Sequence, residues 1–334
     1  MRGLLSAELL RFRSRRLVRI VVLLAFAILL IVQIRVFFLS NRDVAGAHRK
    51  AERQAEKVTG GLRGQFAEDC AARKTAGSID PQTDCSTWIP PEFGPRDGAA
   101  LDAANFYQDP RMFARTALRQ GAQAVAVAMA IFAVVIGASF IGAEWNAGTM
   151  QALLFWEPRR GRVLLAKAVG LVTGVVVITA ALQVFCYGGL YLIAATRGST
   201  EGLTAGIQTS ILLLVLRGMA VVSITALLGY AIAGLARNTV AAIVAAFVYF
   251  VIVENLILGL RPGWQRFLVT PNVSAVMAKK VAVTAAHPHG SVFSGDTSLL
   301  SYHLTAARGA ITLAIYLGVL LGIFYGTFQR RDVT

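Results

Sequence analysis

The chain has 334 residues, of which 56% are hydrophobic and 15% charged, with a mean hydropathy of +0.60. That balance excludes a soluble domain with a polar surface and makes a membrane protein the expectation. The net charge of +15 would point to nucleic acid in a soluble protein; here most of it flanks apolar runs, where it fixes topology and attracts anionic headgroups, so no nucleic-acid partner is expected.

Apolar runs of the roughly 20 residues needed to cross a bilayer occur at 17–39, 120–142, 168–195, 211–236, 239–260 and 309–328. They lack the alternation of barrel strands, and hydrocarbon leaves no other way to satisfy the backbone, so each is predicted to be a helix. The fold class expected is an all-α integral membrane protein with six transmembrane helices.

Residues 1–16 read as a basic, amphipathic cytosolic segment leading into the first span, 17–39. Arg11, Arg13, Arg15, Arg16 and Arg19 give it the look of an export signal, and Ser14-Arg15-Arg16 faintly resembles a twin-arginine sequence. The apolar run is longer than the 7 to 15 residues of a signal core and ends at Gln33-Ile-Arg35-Val-Phe-Phe38 without a small-x-small site, so it is expected to be retained.

Residues 40–119 differ in character, with twelve basic residues from Arg42 to Arg119 and eleven acidic from Asp43 to Asp109. They read as a small, nearly neutral extracytoplasmic helical domain. Val44, Ala47, Ala51, Ala55, Val58, Leu62 and Phe66 recur at steps of three and four, the mark of an amphipathic helix, with Gly60, Gly61 and Gly64 weakening it midway. Trp88 to Pro95 is proline-rich and irregular, and Ala99 to Arg119 is expected to return as helix, giving a hairpin cap. Two of the three cysteines fall here, and a Cys70–Cys85 disulfide is predicted on an oxidising outer face, with two free thiols as the alternative. Cys186, in the third span, reads as a small apolar core residue.

After the second span, 120–142, comes a cytosolic loop at 143–167. Met150, Leu153 and Leu154, with Trp145 and Trp156 nearby, suit the buried side of a short helix ended by Pro158, while Glu144, Asn146, Gln151 and Glu157 are expected to stay polar. Arg159, Arg160 and Arg162 close the loop, followed by Lys167. They suit an acidic partner surface or lipid phosphates, and the residues alone do not choose between these.

The third to fifth spans occupy 168–260, with a tight turn at Arg237-Asn238. Two charges lie within apolar runs, Arg217 in the fourth span and Glu254 in the fifth. About 1.5 Å per residue places both in the outer half of the membrane. Either they approach one another or line a hydrated cavity, or Arg217 snorkels while Glu254 is protonated or hydrogen-bonded to neighbours such as Asn255. A loop at 261–308, the sixth span at 309–328 and a tail at 329–334 complete the chain.

An even number of spans puts both termini on one side, and the positive-inside rule makes that side the cytosol. The assignment gathers thirteen basic residues inside, from Arg2 to Arg331, against Glu8, Glu144, Glu157 and Asp332. Arg261, Arg266, Lys279, Lys280 and Arg308 on the outer side are an exception of the kind long loops permit.

Enzymatic chemistry finds little support. Gly137-Ala-Ser139-Phe is similar to the serine segment of rhomboid proteases, but His48, His287, His289 and His303 all lie in loops, so no base is available at depth and Ser139 reads as a packing residue beside Gly137 and Gly142. His287-Pro-His289 with His303 lacks the carboxylate or thiol company of a metal site, and no metal is expected. Asn272-Val-Ser274 matches a glycosylation sequon. No G-x-x-x-x-G-K-[ST] phosphate loop occurs, so nucleotide hydrolysis is expected on another polypeptide.

The stretch Glu144-Trp-Asn-Ala-Gly148-Thr149-Met150 through Pro158-Arg159-Arg160-Gly-Arg162 resembles the first cytosolic loop of type-2 ABC exporter permeases. The basic N-terminus from Leu4 to Arg19, the six spans, the Leu235-Ala-Arg237-Asn238 turn and the Phe328-Gln-Arg330-Arg331-Asp332-Val ending extend that resemblance over nearly the whole chain. It implies a permease subunit in a prokaryotic plasma membrane, without enzymatic activity of its own, coupled to a separate ABC ATPase dimer that carries ATP and Mg. It also implies a second permease chain, identical or paralogous, and an amphiphilic small-molecule, lipid or peptide substrate exported between the two. Glu144, Gly148, Thr149, Arg159 and Arg160 are the coupling residues it implies. The alternative is a non-transporting membrane scaffold or sensor accessory with an extracytoplasmic binding domain.

Overall fold

The computed structural model describes residues 2–82, 84–85, 102–156, 159–286 and 299–330. Trp88 to Pro95, Glu157, Pro158, His287, His289, Arg331 and Asp332, all used in the sequence reading, lie outside the described residues. The chain divides into two compact units, one of residues 1–33, 115–190 and 202–334, the other of 34–114 and 191–201.

Among the described residues, six helices are long and apolar enough to cross a membrane. They are α2 (Arg16–Leu39), α4 (Ala114–Asn146), α6 (Arg160–Arg197), α7 (Ala205–Ala236), the run Thr239–Leu260, and α11 (Ala306–Arg330). The protein is an all-α integral membrane protein in class. Before the first span lies α1 (Arg2–Ser14), between the first and second lies α3 (Val44–Thr75), and between the second and third lies the short α5 (Thr149–Trp156). The fifth span is not uniform: α8 (Thr239–Phe247) passes through a π-helical turn at Val248–Val253 into α9 (Glu254–Leu260).

In the larger unit the backbones of α4 and α7 approach closely because glycine is present on both sides of the contact. A Cβ on Gly137 would collide with the carbonyl oxygen of Ala226, and one on Gly229 with that of Val134. Small residues at a helix crossing are how membrane helices gain packing contacts without a hydrophobic driving force. Side-chain amides and hydroxyls tie neighbouring spans to each other: Gln183 Nε2 donates to the Ala122 carbonyl, Gln33 Nε2 to that of Phe185, and the Tyr230 hydroxyl to that of Leu164. Ser139 is 5% exposed and its hydroxyl donates to the Ile136 carbonyl one turn back, a packing position.

Arg237 ends α7 in the left-handed conformation at φ 51°, and Asn238 caps α8 by accepting from the amides of Val240 and Ala241. The charge, the turn and the cap occupy two adjacent residues, which is why a tight reversal is possible there.

Within the segment expected as a loop at 261–308, the described residues 261–286 and 299–308 contain regular structure. A 3₁₀ turn (Pro262–Phe267) leads into α10 (Val269–Ala278), followed by an antiparallel hairpin of β1 (Lys280–Ala286) and β2 (Leu299–Thr305). α10 packs on α7 and α11, with Asn272, Ala275 and Met277 buried. Asn272 is fully buried and its Nδ2 donates to the carbonyls of Arg266 and Leu268. The sequon asparagine is therefore a core residue and offers no acceptor for a glycan. The apolar run Val269–Ala278 is ten residues, below spanning length, so length and apolarity do not mark it as helix.

The second unit contains α3, capped by Asp43, whose carboxylate accepts from the Gly46 amide. α3 runs unbroken through Gly60, Gly61 and Gly64, burying Ala51, Ala55 and Thr59 at four-residue steps. The return arm differs from expectation: residues 102–113 are irregular apart from a 3₁₀ turn at Ala103–Asn105, and helix begins only at Ala114. Ser199 pairs in parallel with Phe113, donating its amide to the Met112 carbonyl while its own carbonyl accepts from Ala114. Those bonds engage the Met112 carbonyl and the Ala114 amide with Ser199 outside any helix, and α4 starts at Ala114. Cys70 and Cys85 form a disulfide with Cα atoms 5.8 Å apart. His48 stacks on Tyr107 with ring centroids 4.1 Å apart, and Arg111 grips Asp109 at 2.8 Å, holding that carboxylate below its ordinary range.

Candidate functional site

The site forms where α1, the end of α4, the start of α6, the α7–α8 turn and the end of α11 meet at one end of the larger unit. Its centre is a buried ion network. Lys167 Nζ lies 3.0 Å from Glu8 Oε1 and 2.6 Å from Glu144 Oε2, and Arg15 donates to the other Glu144 oxygen at 2.9 Å. Glu8 and Lys167 are wholly buried and Glu144 is 7% exposed. Arg11 adds a half-exposed contact to Glu8 at 3.0 Å.

Phe140 forms the apolar side of this network. The Arg15 guanidinium sits 4.8 Å from its ring centroid, Lys167 Nζ 5.8 Å, and Phe12 packs beside it at 5.8 Å. Burial lowers the Arg15 pKa from its ordinary value, opposed by the charges of Glu144 and Glu8. Arg15 also donates 2.6 Å to the Ser139 carbonyl. Two cations against two carboxylates balance the charge, which is the condition for keeping such groups out of water.

Around the network, Arg237 lies over the Trp145 ring at 4.6 Å, and Trp145 meets Phe328 edge to face. A Cβ on Gly142 would strike Thr239, so the end of α4 lies against the start of α8. Arg160 Nη1 donates to the carbonyls of Phe328 and Gln329, joining the start of α6 to the end of α11. The carbonyls at a helix C-terminus have no partner in the helix, so a guanidinium there both bonds them and meets the negative end of the dipole.

The predicted loop is shorter than its sequence boundaries, because α4 continues to Asn146 and α6 begins at Arg160. Glu144 and Lys167 thus sit on the helical ends of spans and face each other across the network. Glu144, expected on the polar side of the loop, is buried and paired with Arg15 and Lys167, so it anchors α4. Gly148 adopts φ +67°, the left-handed turn between α4 and α5 that disfavours any side chain, and Thr149 donates back to the Glu144 carbonyl at 3.4 Å. Met150 is fully buried and roots α5, whereas Phe155 is 88% exposed at its far end. Arg159 is exposed. Of the coupling residues expected from sequence, Glu144 and Thr149 come together, Arg160 is turned to α11, and Arg159 lies outward.

Residues 10–333 match the model of the ABC-2 family transporter proteins. The chain belongs to this family. It is thus a multi-pass membrane protein of an ABC transport system, and the loop between its second and third spans is the α5 element just described. No curated protein matches the chain.

Glu8 and Arg15 were missed as network members by sequence reasoning, which took the N-terminal basic residues as topology markers. The available signal was Glu8 itself, the one acid in a segment with six arginines up to Arg19. Arg217 and Glu254 are not brought together: the Glu254 carboxylate, 3% exposed, accepts from the amides of Val269 and Thr270 at the start of α10. Its charge is met by backbone dipoles, and no ion pair joins it to Arg217 among the described residues.

A small cavity of about 190 Å³ lies between α2, α4 and α6, lined by Leu29, Met129, Phe132, Leu182 and Cys186, with Gln33 its polar member.

Proposed function

We propose that this chain is the permease subunit of an ATP-driven ABC exporter, forming half of a substrate path with a second permease chain, identical or paralogous. A separate ABC ATPase dimer, carrying ATP and Mg, docks on α5. The observation that carries this reading is the shape of α5: an eight-residue helix rooted by buried Met150 and presenting Phe155, 88% exposed, beside exposed Arg159. An aromatic anchor next to a basic rim is what a partner groove with acidic edges accepts.

The buried network gives that docking helix its lever. A push on α5 reaches α4 through Glu144 and α6 through Lys167, and the same charges hold α1 through Glu8 and Arg15. Movement of α5 therefore displaces the ends of two spans and the N-terminal helix together. In this reading the end bearing Arg11, Arg13, Arg15, Arg159, Arg162, Arg237 and Arg330 faces the cytosol of a prokaryotic cell, as the positive-inside rule requires. The unit containing α3 faces outward, and an amphiphilic substrate is carried past the apolar walls of the spans.

The test is co-purification from cells expressing the chain together with its ATPase. The wild-type chain brings down an ATP-hydrolysing subunit whose turnover responds to substrate; Phe155→Asp and Arg159→Glu lower both recovery and turnover while membrane insertion is unchanged. Recovery and turnover equal to wild type in both variants would remove α5 as the docking element. Arg160→Glu is a poorer probe, because Arg160 also joins α6 to α11.

A further inference from the structure

An open pocket of about 680 Å³ lies between the start of α6 and the end of α11, lined by Arg159, Arg160, Gly161, Arg162, Tyr325 and Gln329. Among the described residues that line it, three of six are arginines and none is a carboxylate. The pocket also includes the first turn of α6, where the helix dipole is positive. Gly161 brings the Tyr325 hydroxyl close: a Cβ there would lie 3.1 Å from it. The opening is thus built to accept an anion, with a phenol and an amide available as further hydrogen-bonding groups.

The face of α11 below the pocket supplies the second observation. Gly318, Gly322, Tyr325 and Gln329 follow steps of four, three and four, so they share one stripe of the helix. A Cβ on Gly318, Gly322 or Gly326 would meet nothing within 4 Å among the described residues. Ile315 and Val319, both more than half exposed, lie beside the glycines and make that side of the helix apolar. From Gln329 to Gly318 is about 16 Å at 1.5 Å per residue. That is about the depth of one leaflet's hydrocarbon, half of a 30 Å core.

We propose that an anionic phospholipid occupies this site, its phosphate held by Arg162 with Tyr325 and Gln329, and one acyl chain lying along the Gly318–Gly322 stripe of α11. The inference rests on the membrane placement of α11 and not on the docking of an ATPase at α5. A lipid is favoured over a free anion because the charged pocket and the exposed apolar stripe lie along one side of α11. Arg160 is already pinned to the end of α11, so a lipid bound here bridges the α6–α11 junction and fixes the base of the loop that carries α5.

The experiment uses the full chain purified in detergent, delipidated, and challenged separately with phosphatidylglycerol, phosphatidylcholine and inorganic phosphate. Retained lipid is read by native mass spectrometry and stability by the midpoint of thermal unfolding. Phosphatidylglycerol is expected to be retained about tenfold better than phosphatidylcholine and to raise the midpoint, as loss or gain of a basic contact to an anionic headgroup implies. Arg162→Glu is expected to abolish that preference, and Arg162→Lys to restore most of it. Gly322→Leu, which puts a side chain where the acyl chain would lie without touching the arginines, is expected to lower retention of both lipids and leave any response to inorganic phosphate unchanged. Equal retention of the two lipids, or an Arg162→Glu variant that keeps the preference, overturns the proposal. So does a midpoint raised as much by inorganic phosphate as by lipid with Gly322→Leu silent, which would make the site one for a free anion.

Discussion

Lys167 Nζ sits 2.6 Å from Glu144 Oε2 and 3.0 Å from Glu8 Oε1 with no exposure of its own, so one ammonium on α6 holds a carboxylate from α4 and another from α1. Removing one member of a buried ion pair leaves the partner charge without compensation, at a cost of about 3–5 kcal/mol. Lys167→Met is therefore expected to lower the thermal unfolding midpoint of the purified chain sharply. Adding Glu8→Gln to it removes the one carboxylate left in excess, keeps the Arg15–Glu144 pair and should recover most of the loss. A double variant no more stable than Lys167→Met would mean that the lysine acts by packing and not by charge.

The contact between α4 and α7 depends on glycine at both ends of the crossing, since Gly137 faces the Ala226 carbonyl and Gly229 faces that of Val134. Gly137→Leu forces the backbones apart, and overpacking of this kind costs about 1–3 kcal/mol or more. The expected outcome is a variant that inserts into the membrane but loses its cooperative thermal transition in detergent. Gly322→Leu, on a face where a side chain meets open space, is the matched control and should unfold as wild type does in the absence of added lipid.

The spans were legible because their signal is length and apolarity, which need no tertiary information; α2, α4, α6, α7, Thr239–Leu260 and α11 each cover their expected run, most of them extending beyond it by several residues. Those extensions are what moved Glu144 and Lys167 from a loop to helix ends. A charged residue near a span terminus reads as interfacial by composition, and only packing against α1 shows it to be buried. The β1–β2 hairpin and α10 were not legible for a different reason. Their runs are too short to announce a membrane span, and the hairpin pairs residues 280 and 305 across 25 positions, a non-local relationship that periodicity does not report. The continuous α3 shows the opposite case: three glycines on an exposed face each cost about 1 kcal/mol relative to alanine, yet the buried Ala51, Ala55, Thr59 and Cys70 stripe outweighs them.

In the second unit, the Cys70–Cys85 bond closes a loop with a sequence separation of 15. The chain-entropy estimate for such a loop is about 3 kcal/mol. Reduction, or replacement of both cysteines by serine, is expected to increase proteolysis after residue 75 while the six spans remain protected in the membrane. Identical digestion patterns before and after reduction would show that the bond does not stabilise this unit.

Glu254 accepts from two amides at the start of α10, Val269 at 2.8 Å and Thr270 at 3.1 Å, while buried to 3% exposure. The carboxylate stands in for the side-chain cap that Leu268 cannot supply, and it meets the positive end of the α10 dipole. Glu254→Gln keeps one acceptor oxygen and is expected to cost about 1 kcal/mol, whereas Glu254→Ala strands both amides and is expected to cost about 3 kcal/mol. The same geometry separates this role from pairing with Arg217. If backbone capping is what Glu254 does, the exchange Arg217→Glu with Glu254→Arg leaves the amides facing a cation and is less stable than either single variant. Recovery of the unfolding midpoint in that double variant would instead establish an attraction between the two side chains.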